Sequence, residues 1–583
     1  MKKILRRKSK SIWSRATQAK AANEPQLLDR YLGLESEMFC RHPKDAQRNS
    51  LAEYSEILRS VQTRLPIAPS SNALRWFLSN GSSIALEMGG SADLSRALIE
   101  VATPETRSPR QVVCYQLANE RILQDALASK RPVDQWSLIK SNSDAYGHTL
   151  GQHESYDMRI AQGPLLVAWW IGLLLLLIPL LIYRAVASLW LGTMLLLSIC
   201  IRTIRGVRRD SENATPRLDD LQSPDCLLGF PMAPWQWLLA AAGLRRLHSP
   251  IVWLFGLLLT AVALRPHRKK ASAFLASRCL LDGAGHLDSD SRFWVSARAA
   301  VVDQQIGFGS YNQHRPIFRC DPLLRKLLSG PYWNLSQFAS LFHPVQRIEI
   351  AIGDSGLCQQ SQWLRIGATA LVLDWVEQTH EPNVIELKSV AEATCEFARD
   401  WMLVRSVPDR FGQDFRAREI SRVYLRSLKS WLERKADVPR EAWEIIELWQ
   451  MTLNQIDMIP KNQGQPPILL VGRLDWISKL WLIQQMDKST DWSIKKKIDI
   501  RYHELSDQGY YQQLVDQLQL PPLISDREVQ RAMRVPPSDS PAWRRGNLIR
   551  ELGDSQCNLV VGWESAQYDL EGHHYIVQFP RWF

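Results

Sequence analysis

At 583 residues the chain is several times the usual domain size of roughly 100–200 residues, so more than one domain and a large core are within reach. Its net charge of +11 and pI near 9.2 would suit a nucleic-acid partner, yet much of the excess sits in MKKILRRKSK, RTIRGVRR and RPHRKK. Two of these flank apolar runs, a pattern of cytoplasmic membrane edges rather than of polyanion sites, so no nucleic-acid partner is expected.

In chain order, residues 1–24 read as a basic, mobile tail, without the apolar stretch and small-residue cleavage site of a secretory signal. RYLGLESEMF (30–39) then places Glu35 and Glu37 two apart. On a strand they share a face and can converge on one hard cation, although a solvated face has the same spacing. NGSSIALEMGG (80–90) and LIEVATPE (98–105) set Glu87, Glu100 and Glu105 among strand-like residues and turn glycines. KSNSDAYGHTLGQHESYDM (140–158) carries Asn142, Asp144, His153 and Glu154, with glycines that allow backbone approach to phosphate.

Pro164 to Tyr183 is about twenty apolar residues, enough to cross a ~30 Å hydrocarbon layer. Ala185 to Ile201 follows after Arg184, and Ile251 to Leu264 abuts the weaker run 235–244. Trp169, Trp170, Trp190, Trp235 and Trp237 suit interfacial anchors, and the arginines and lysines at 202–209 and 265–270 suit the inner side, which predicts two or four crossings. A buried or interfacial hairpin is the alternative, stronger for 251–264 than for 164–201.

Beyond these runs, RIEIAIGD (347–354) has strand length, and ILLVGRLDW (468–476) fits a strand or the start of a helix. LRIGATALVLDWVEQ (364–378) and AREISRVYLRSLKSWLERK (417–435) have helical spacing. Trp563 in VVGWESAQYDL suits stacking on a flat ring such as adenine. The cysteines, Cys40, Cys114, Cys200, Cys226, Cys279, Cys320, Cys358, Cys395 and Cys557, show no C-x-x-C or zinc spacing and read as reduced thiols. No repeat of 20–50 residues appears, which sets solenoids and propellers aside.

Taken together and in order, DRYLGLESE, LSNGSSIALE, IEVATPETRSPR, LIKSNSDAYGHTLGQHESYDM, FLASRCLLDGAGHL, RAAVVDQQIGFGSYNQHRPIF, RIEIAIGDSGL, GRLDWISKLWLI, RAMRVPPSDSPAWRRG and VVGWESAQYDL resemble the family of Pup ligase and Pup deamidase (proteasome accessory factor A), relatives of glutamine synthetase. The resemblance implies an α+β fold, a glutamine-synthetase-like antiparallel sheet with helices plus a smaller C-terminal domain, and the apolar runs then read as an inserted transmembrane helical segment that interrupts it and has no counterpart in the family. The expected division is a tail at 1–24, the catalytic domain at 25–162 and 271–460, the membrane segment at 163–270 and the C-terminal part at 461–583. The apolar runs and their basic flanks, with soluble sequence on both sides, predict a prokaryotic inner membrane, crossed more than once, with the catalytic part cytoplasmic.

The resemblance also implies ATP and Mg²⁺ as cofactors, and as partners Pup or a Pup-like protein with its target proteins. Carboxylate phosphorylation followed by amide formation, or opening of an amide at the end of Pup, is the implied chemistry. By the same resemblance Glu35, Glu37, Glu100 and Glu154 fall at or beside metal positions, and Thr103, Trp563, His153 and Arg347 at nucleotide positions. Glu87 falls where the family has its catalytic aspartate, and Asp354 near phosphate or metal. Departures accompany the matches: Ser83 and Ala85 stand where the family has arginine and tyrosine, GSADLSRA sets back the next metal-binding segment, and Arg319 and Asp321 are what remains of a charged R-D-E-P segment. They leave two alternatives, a catalytically impaired paralogue that binds nucleotide or Pup as a membrane receptor, and a carboxylate-amine ligase acting on a small substrate.

Overall fold

The structure is a computed structural model and describes residues 26–41, 50–72, 74–87, 98–128, 136–143, 149–204, 234–309, 314–328, 335–379, 384–487, 489–553 and 557–579. The basic tail, Asp144 and the GSADLSRA segment lie outside the described residues.

Strands β1 (Leu32–Arg41), β2 (Ile67–Pro69), β3 (Arg75–Leu78), β4 (Ser83–Glu87), β5 (Leu98–Ala102), β6 (Ser137–Ile139) and β7 (Gln152–Arg159) precede the apolar segment. After it come a two-stranded hairpin, β8 (His286–Leu287) and β9 (Phe293–Trp294), and then β10 (Gln304–Gly307), β11 (Pro316–Arg319) and β12 (Val345–Gly353). Among the described residues they build an eleven-stranded sheet in the order β10-β11-β12-β7-β1-β5-β4-β3-β2, with β6 beside β1 and Glu504–Leu505 beside β6. The expected antiparallel sheet is thus mixed, because β10 and β11 run parallel.

One face of the sheet is packed. Along β1 Leu32, Leu34, Ser36, Met38 and Cys40 are buried in alternation with less buried neighbours, the period of two that a one-sided strand requires. Behind it the helix Gln359–Gln378 is buried along nearly its whole length, and the helices Ala417–Glu433 and Arg440–Ile456 bury Ile420, Tyr424, Leu428, Ile445 and Trp449 in the same core. ILLVGRLDW is a short 3₁₀ turn, Ile468–Leu470, followed by the helix Asp475–Gln484, so its strand reading gives way to the helical one. A three-stranded sheet from 560 to 578 packs Leu559, Val561, Ala566 and Phe579 onto Ala68 and Phe77 at the far edge of the large sheet.

The expected membrane segment is corrected. Pro164–Ile204 is one helix of 41 residues, about 60 Å long at 1.5 Å per residue and about twice a ~30 Å hydrocarbon layer, where two separate crossings divided at Arg184 were expected. Pro234–Leu258 is likewise continuous through Arg245, Arg246 and His248. One side of the pair packs on the protein itself: Trp169, Leu173 and Leu180 are buried with Phe255, Leu259 and Ala263 in the main core. The Trp169 and Trp170 indoles donate to the Leu341 and Phe342 carbonyls at 2.9 and 2.8 Å. Two stretches among the described residues, Pro164–Leu197 and Arg246–Ala263, are long and apolar enough to cross a membrane by length and composition. Leu175, Leu189 and Trp253 face outward from this hairpin.

Candidate active site

The open face of the sheet gathers the charged residues, and strand register decides which ones. Glu37 lies opposite Glu100, and Glu35 lies opposite Ala102 on one side and His153 on the other. Glu100 in turn faces Ala85, and Glu87 faces Leu98. Residues directly opposite one another share a face, so Glu35, Glu37, Glu87, Glu100 and His153 all point to the open side. The same rule brings Arg75 (opposite Ala85), Arg347 (opposite Asp157), Glu349 (opposite Ser155) and Arg319 (opposite Glu349) onto it.

Two expected metal ligands are held by arginines. Arg347 pairs with Glu35 at 2.7 Å and Glu349 at 3.2 Å, and Arg75 pairs with Glu100 at 2.6 Å while donating to the Ser83 hydroxyl at 3.0 Å. Glu37 accepts from the Gly151 amide at 3.2 Å. A side-chain hydrogen bond joins Glu87 to Glu100, and the Glu87 Oε2 is buried with no partner.

The carboxyls differ in acidity because their surroundings do. Burial, and then the Glu35 and Glu87 charges, push Glu100 up to about 8. Burial followed by Glu37 raises Glu87, and burial raises Glu37 and Glu349. Glu35 is the exception: against the same burial, Arg347 and Arg75 hold it down to about 2. Among the described residues no three His, Cys, Asp or Glu side chains already converge on one metal position. The donor set nevertheless fits a divalent cation. Its donors are hard carboxylate oxygens, one of them unpartnered, crowded so that burial and mutual repulsion raise most of them, and a cation relieves both.

His153 sits between cations. Its Nδ1 is 2.9 Å from Arg319 and its Nε2 3.3 Å from Arg298, and burial together with these arginines keeps the ring well below its ordinary value, hence neutral. A neutral imidazole accepts at one nitrogen only, so one guanidinium N–H faces a ring N–H. Burial lowers Arg298 to about 10, with Arg315 and Arg319 adding to the effect against Glu37. Beside this cluster a small, partly open cleft is walled by Glu35, Thr103, Glu105, Ser155, Arg347 and Trp563.

Two expected site residues are turned elsewhere. Glu154, opposite Leu34, points into the packed face and pairs with Arg278 at 2.7 Å and Arg365 at 3.4 Å. Adjacent strand residues face opposite ways, so Glu154, expected among the metal ligands, lies on the opposite face of the sheet from His153, Glu35, Glu37 and Glu100. Asp354 accepts from the amides of Ala284 and Arg298 at 2.8 and 3.0 Å and acts as a backbone tie. Arg75, Arg298 and Glu349 were not anticipated. Glu349 was within reach, two residues after Arg347 on a recognisable strand; Arg75 and Arg298 carry no local signal.

The Glu154 network gives a stability test. Asp282, 3.6 Å from Arg278 and 3.7 Å from Arg365, is raised from its ordinary 3.8 to about 7, chiefly by burial. A raised carboxyl favours the folded state below its unfolded value and loses that contribution as pH climbs through the folded one. The wild-type denaturation midpoint is expected to fall relative to Asp282→Asn between about pH 4 and about pH 7 and to run parallel above, with a ceiling of about 4 kcal/mol. Parallel curves across that window would contradict the assignment.

The fold class that this sheet and site define is shared with solved structures. A Pup ligase, PafA, crystallised in complex with Pup matches with a TM-score of 0.62 at 18% identity, over 94% of this chain and 89% of that one. The ligase in complex with ADP matches at 0.56 and 17%, over 87% and 86%. The sequence profile of the Pup-ligase protein family matches residues 12–567, and the chain belongs to that family.

Similar curated proteins include a Pup deamidase/depupylase of Mycobacterium tuberculosis, 26% identical over 322 residues, and a Pup–protein ligase of Corynebacterium urealyticum, 22% identical over 573 residues. The first alignment covers 53% of this chain and 58% of that relative; the second covers 94% and 89%. The multi-pass inner-membrane location is overturned by these findings. The chain shares its family and, over 94% of its length, its fold with Pup ligases, and two helices that pass on length and composition alone do not by themselves indicate a multi-pass membrane protein.

Proposed function

We propose that the chain is an ATP- and Mg²⁺-dependent enzyme of the Pup ligase or Pup deamidase/depupylase type, working on the C-terminal carboxylate or amide of a Pup-type tail. The observation that carries this reading is the register-built row Glu35–Glu37–Glu100–Glu87 beside an aromatic-walled cleft and the Arg298–Arg319 cations. The relatives support it: a ligase of this fold has been seen with Pup and with ADP.

In this reading Trp563 stacks on the base and Thr103 borders the nucleotide. Glu35, Glu37 and Glu100 would hold Mg²⁺, which when bound neutralises the charge on the transferring phosphoryl group. Arg298, Arg319 and Arg347 would face the same anion, and His153, held neutral between Arg298 and Arg319, adds no charge of its own. A carboxylate becomes an acylating agent once phosphate makes its oxygen a leaving group. In the ligase direction Glu87 removes a proton from the attacking lysine, phosphate departs and an amide forms. In the deamidase direction Glu87 serves water, and ammonia leaves.

A receptor reading, with nucleotide bound but not turned over, draws on one observation, the engagement of Glu35 and Glu100 by Arg347 and Arg75. Binding separates both from a site with no nucleotide role. Trp563→Ala is expected to weaken Mg²⁺-ATP about tenfold by calorimetry, within the ~1–3 kcal/mol that one base–aromatic stack contributes. Unchanged affinity would remove Trp563 from the site.

A further inference from the structure

The helix Pro541–Leu552 approaches the turn at residues 79–82 almost backbone to backbone. A Cβ at Gly546 would fall 2.4 Å from the Ser79 carbonyl oxygen, and one at Gly81, where φ is +89°, would fall 2.7 Å from the Ala542 methyl. Such closeness needs glycine at both positions. It delivers the fully buried Arg545 to the back of the cleft wall.

The Arg545 fork ties three separate segments. One terminal nitrogen donates to the Gly81 carbonyl at 2.9 Å and to the Glu105 carboxylate; the other donates to the Trp563 carbonyl at 3.1 Å and to the same carboxylate at 3.3 Å. Its central carbon also lies 4.7 Å from the Trp563 ring centroid and 5.4 Å from that of Phe77. Phe77 meets Trp563 edge-on, with centroids 5.0 Å apart and planes at 81°. Both Glu105 and Trp563 line the cleft.

A buried ion pair of this kind is poor evidence of a stability role, since apolar residues of like volume often do as well. What a planar five-donor fork supplies, and a methylene chain or an ammonium does not, is fixed orientation: two carbonyls and a bidentate carboxylate set its plane. The indole, 4.7 Å from the guanidinium carbon and with its own carbonyl tied to the same fork, is restrained by that fixed orientation.

We infer that Arg545 is a positioning residue that sets the plane of Trp563 for stacking on the purine base of a bound nucleotide, an inference that rests on the nucleotide reading above. Arg545 touches neither base nor phosphate; it acts through Trp563. The consequence is selective, because loosening the indole affects ligands that carry a base and spares those that are phosphate alone.

The test compares calorimetric titrations of the full chain with Mg²⁺-ADP and with Mg²⁺-tripolyphosphate, in the wild type and in Arg545→Lys. Arg545→Lys keeps the charge and the partner Glu105 but loses the fork. It is expected to weaken ADP about tenfold, the scale of one lost stack, and to leave tripolyphosphate unchanged. Equal losses for both ligands, or no loss for ADP, would overturn the inference. A wild type that binds neither ligand would instead bring down the nucleotide reading. Thermal unfolding confirms a folded variant; should Arg545→Lys not fold, Glu105→Gln loosens the same fork from the other side and is held to the same split.

Discussion

Glu87→Gln is expected to abolish turnover of a Pup-type substrate while Mg²⁺-ATP affinity stays at the wild-type level. Glu87 ends β4 on the open face, and its Oε2 is the one carboxylate oxygen of the row that is buried without a partner. Burial and the Glu37 charge raise its proton affinity, which suits a group that must take a proton from a lysine or a water. Glutamine keeps the shape and cannot accept that proton. Reach matters as much as basicity: glutamate and aspartate differ by about half a pH unit in ordinary acidity, whereas a displacement on the order of 1 Å can cost ~100-fold in rate. Glu87→Asp is therefore expected to be slower by about that factor. Single-turnover assays with saturating ATP check both variants, and a Glu87→Gln rate equal to the wild type would remove Glu87 from the mechanism.

Glu35→Gln is expected to cost on the order of a hundredfold or more in Mg²⁺-dependent turnover, the scale on which a metal's charge stabilisation acts. Among the carboxyls of the row with a resolved shift, Glu35 alone is lowered, to about 2, so it brings a full negative charge to a cation at neutral pH while its neighbours hold protons more tightly. Its loss of charge also loosens Arg347, which keeps Glu349 at 3.2 Å and the Ser155 hydroxyl at 2.9 Å. Magnesium titrations at fixed ATP should shift to higher metal concentration in this variant. An unchanged magnesium requirement would assign Glu35 to holding Arg347 alone.

How much of this was legible in the chain varies with the distance over which each feature is encoded. The period of two in LGLESEMF already puts Glu35 and Glu37 on one face, and it holds through β1. It says nothing of which strands flank β1, so family resemblance alone groups Glu100 and His153 with them, and register explains the grouping. The same parity, applied to adjacent His153 and Glu154, would have separated them, but a family motif treats neighbours as a pair. Arg75 reaches Glu100 from two strands away, a contact that no local spacing encodes.

The apolar segment failed differently. A hydropathy window counts apolar residues and broke the run at Arg184, yet arginine is a good helix former and the helix continues through it to Ile204. Nor does a window see that Trp169 and Leu173 are core residues of the protein itself. ILLVGRLDW was ambiguous for the ordinary reason that a short apolar run fits either period, and its environment among helices decided it.

The account is tested most directly by incubating the purified full chain with ATP, Mg²⁺ and Pup, supplied with a C-terminal glutamate and a lysine-bearing acceptor protein in one arm and with a C-terminal glutamine in the other, and weighing the products. ATP-dependent product is expected in at least one arm: an isopeptide-linked conjugate for a ligase, or conversion of the terminal glutamine to glutamate for a deamidase. No product in either arm, from a protein that demonstrably binds Mg²⁺-ATP, would contradict it and leave a nucleotide-binding receptor built on the same fold.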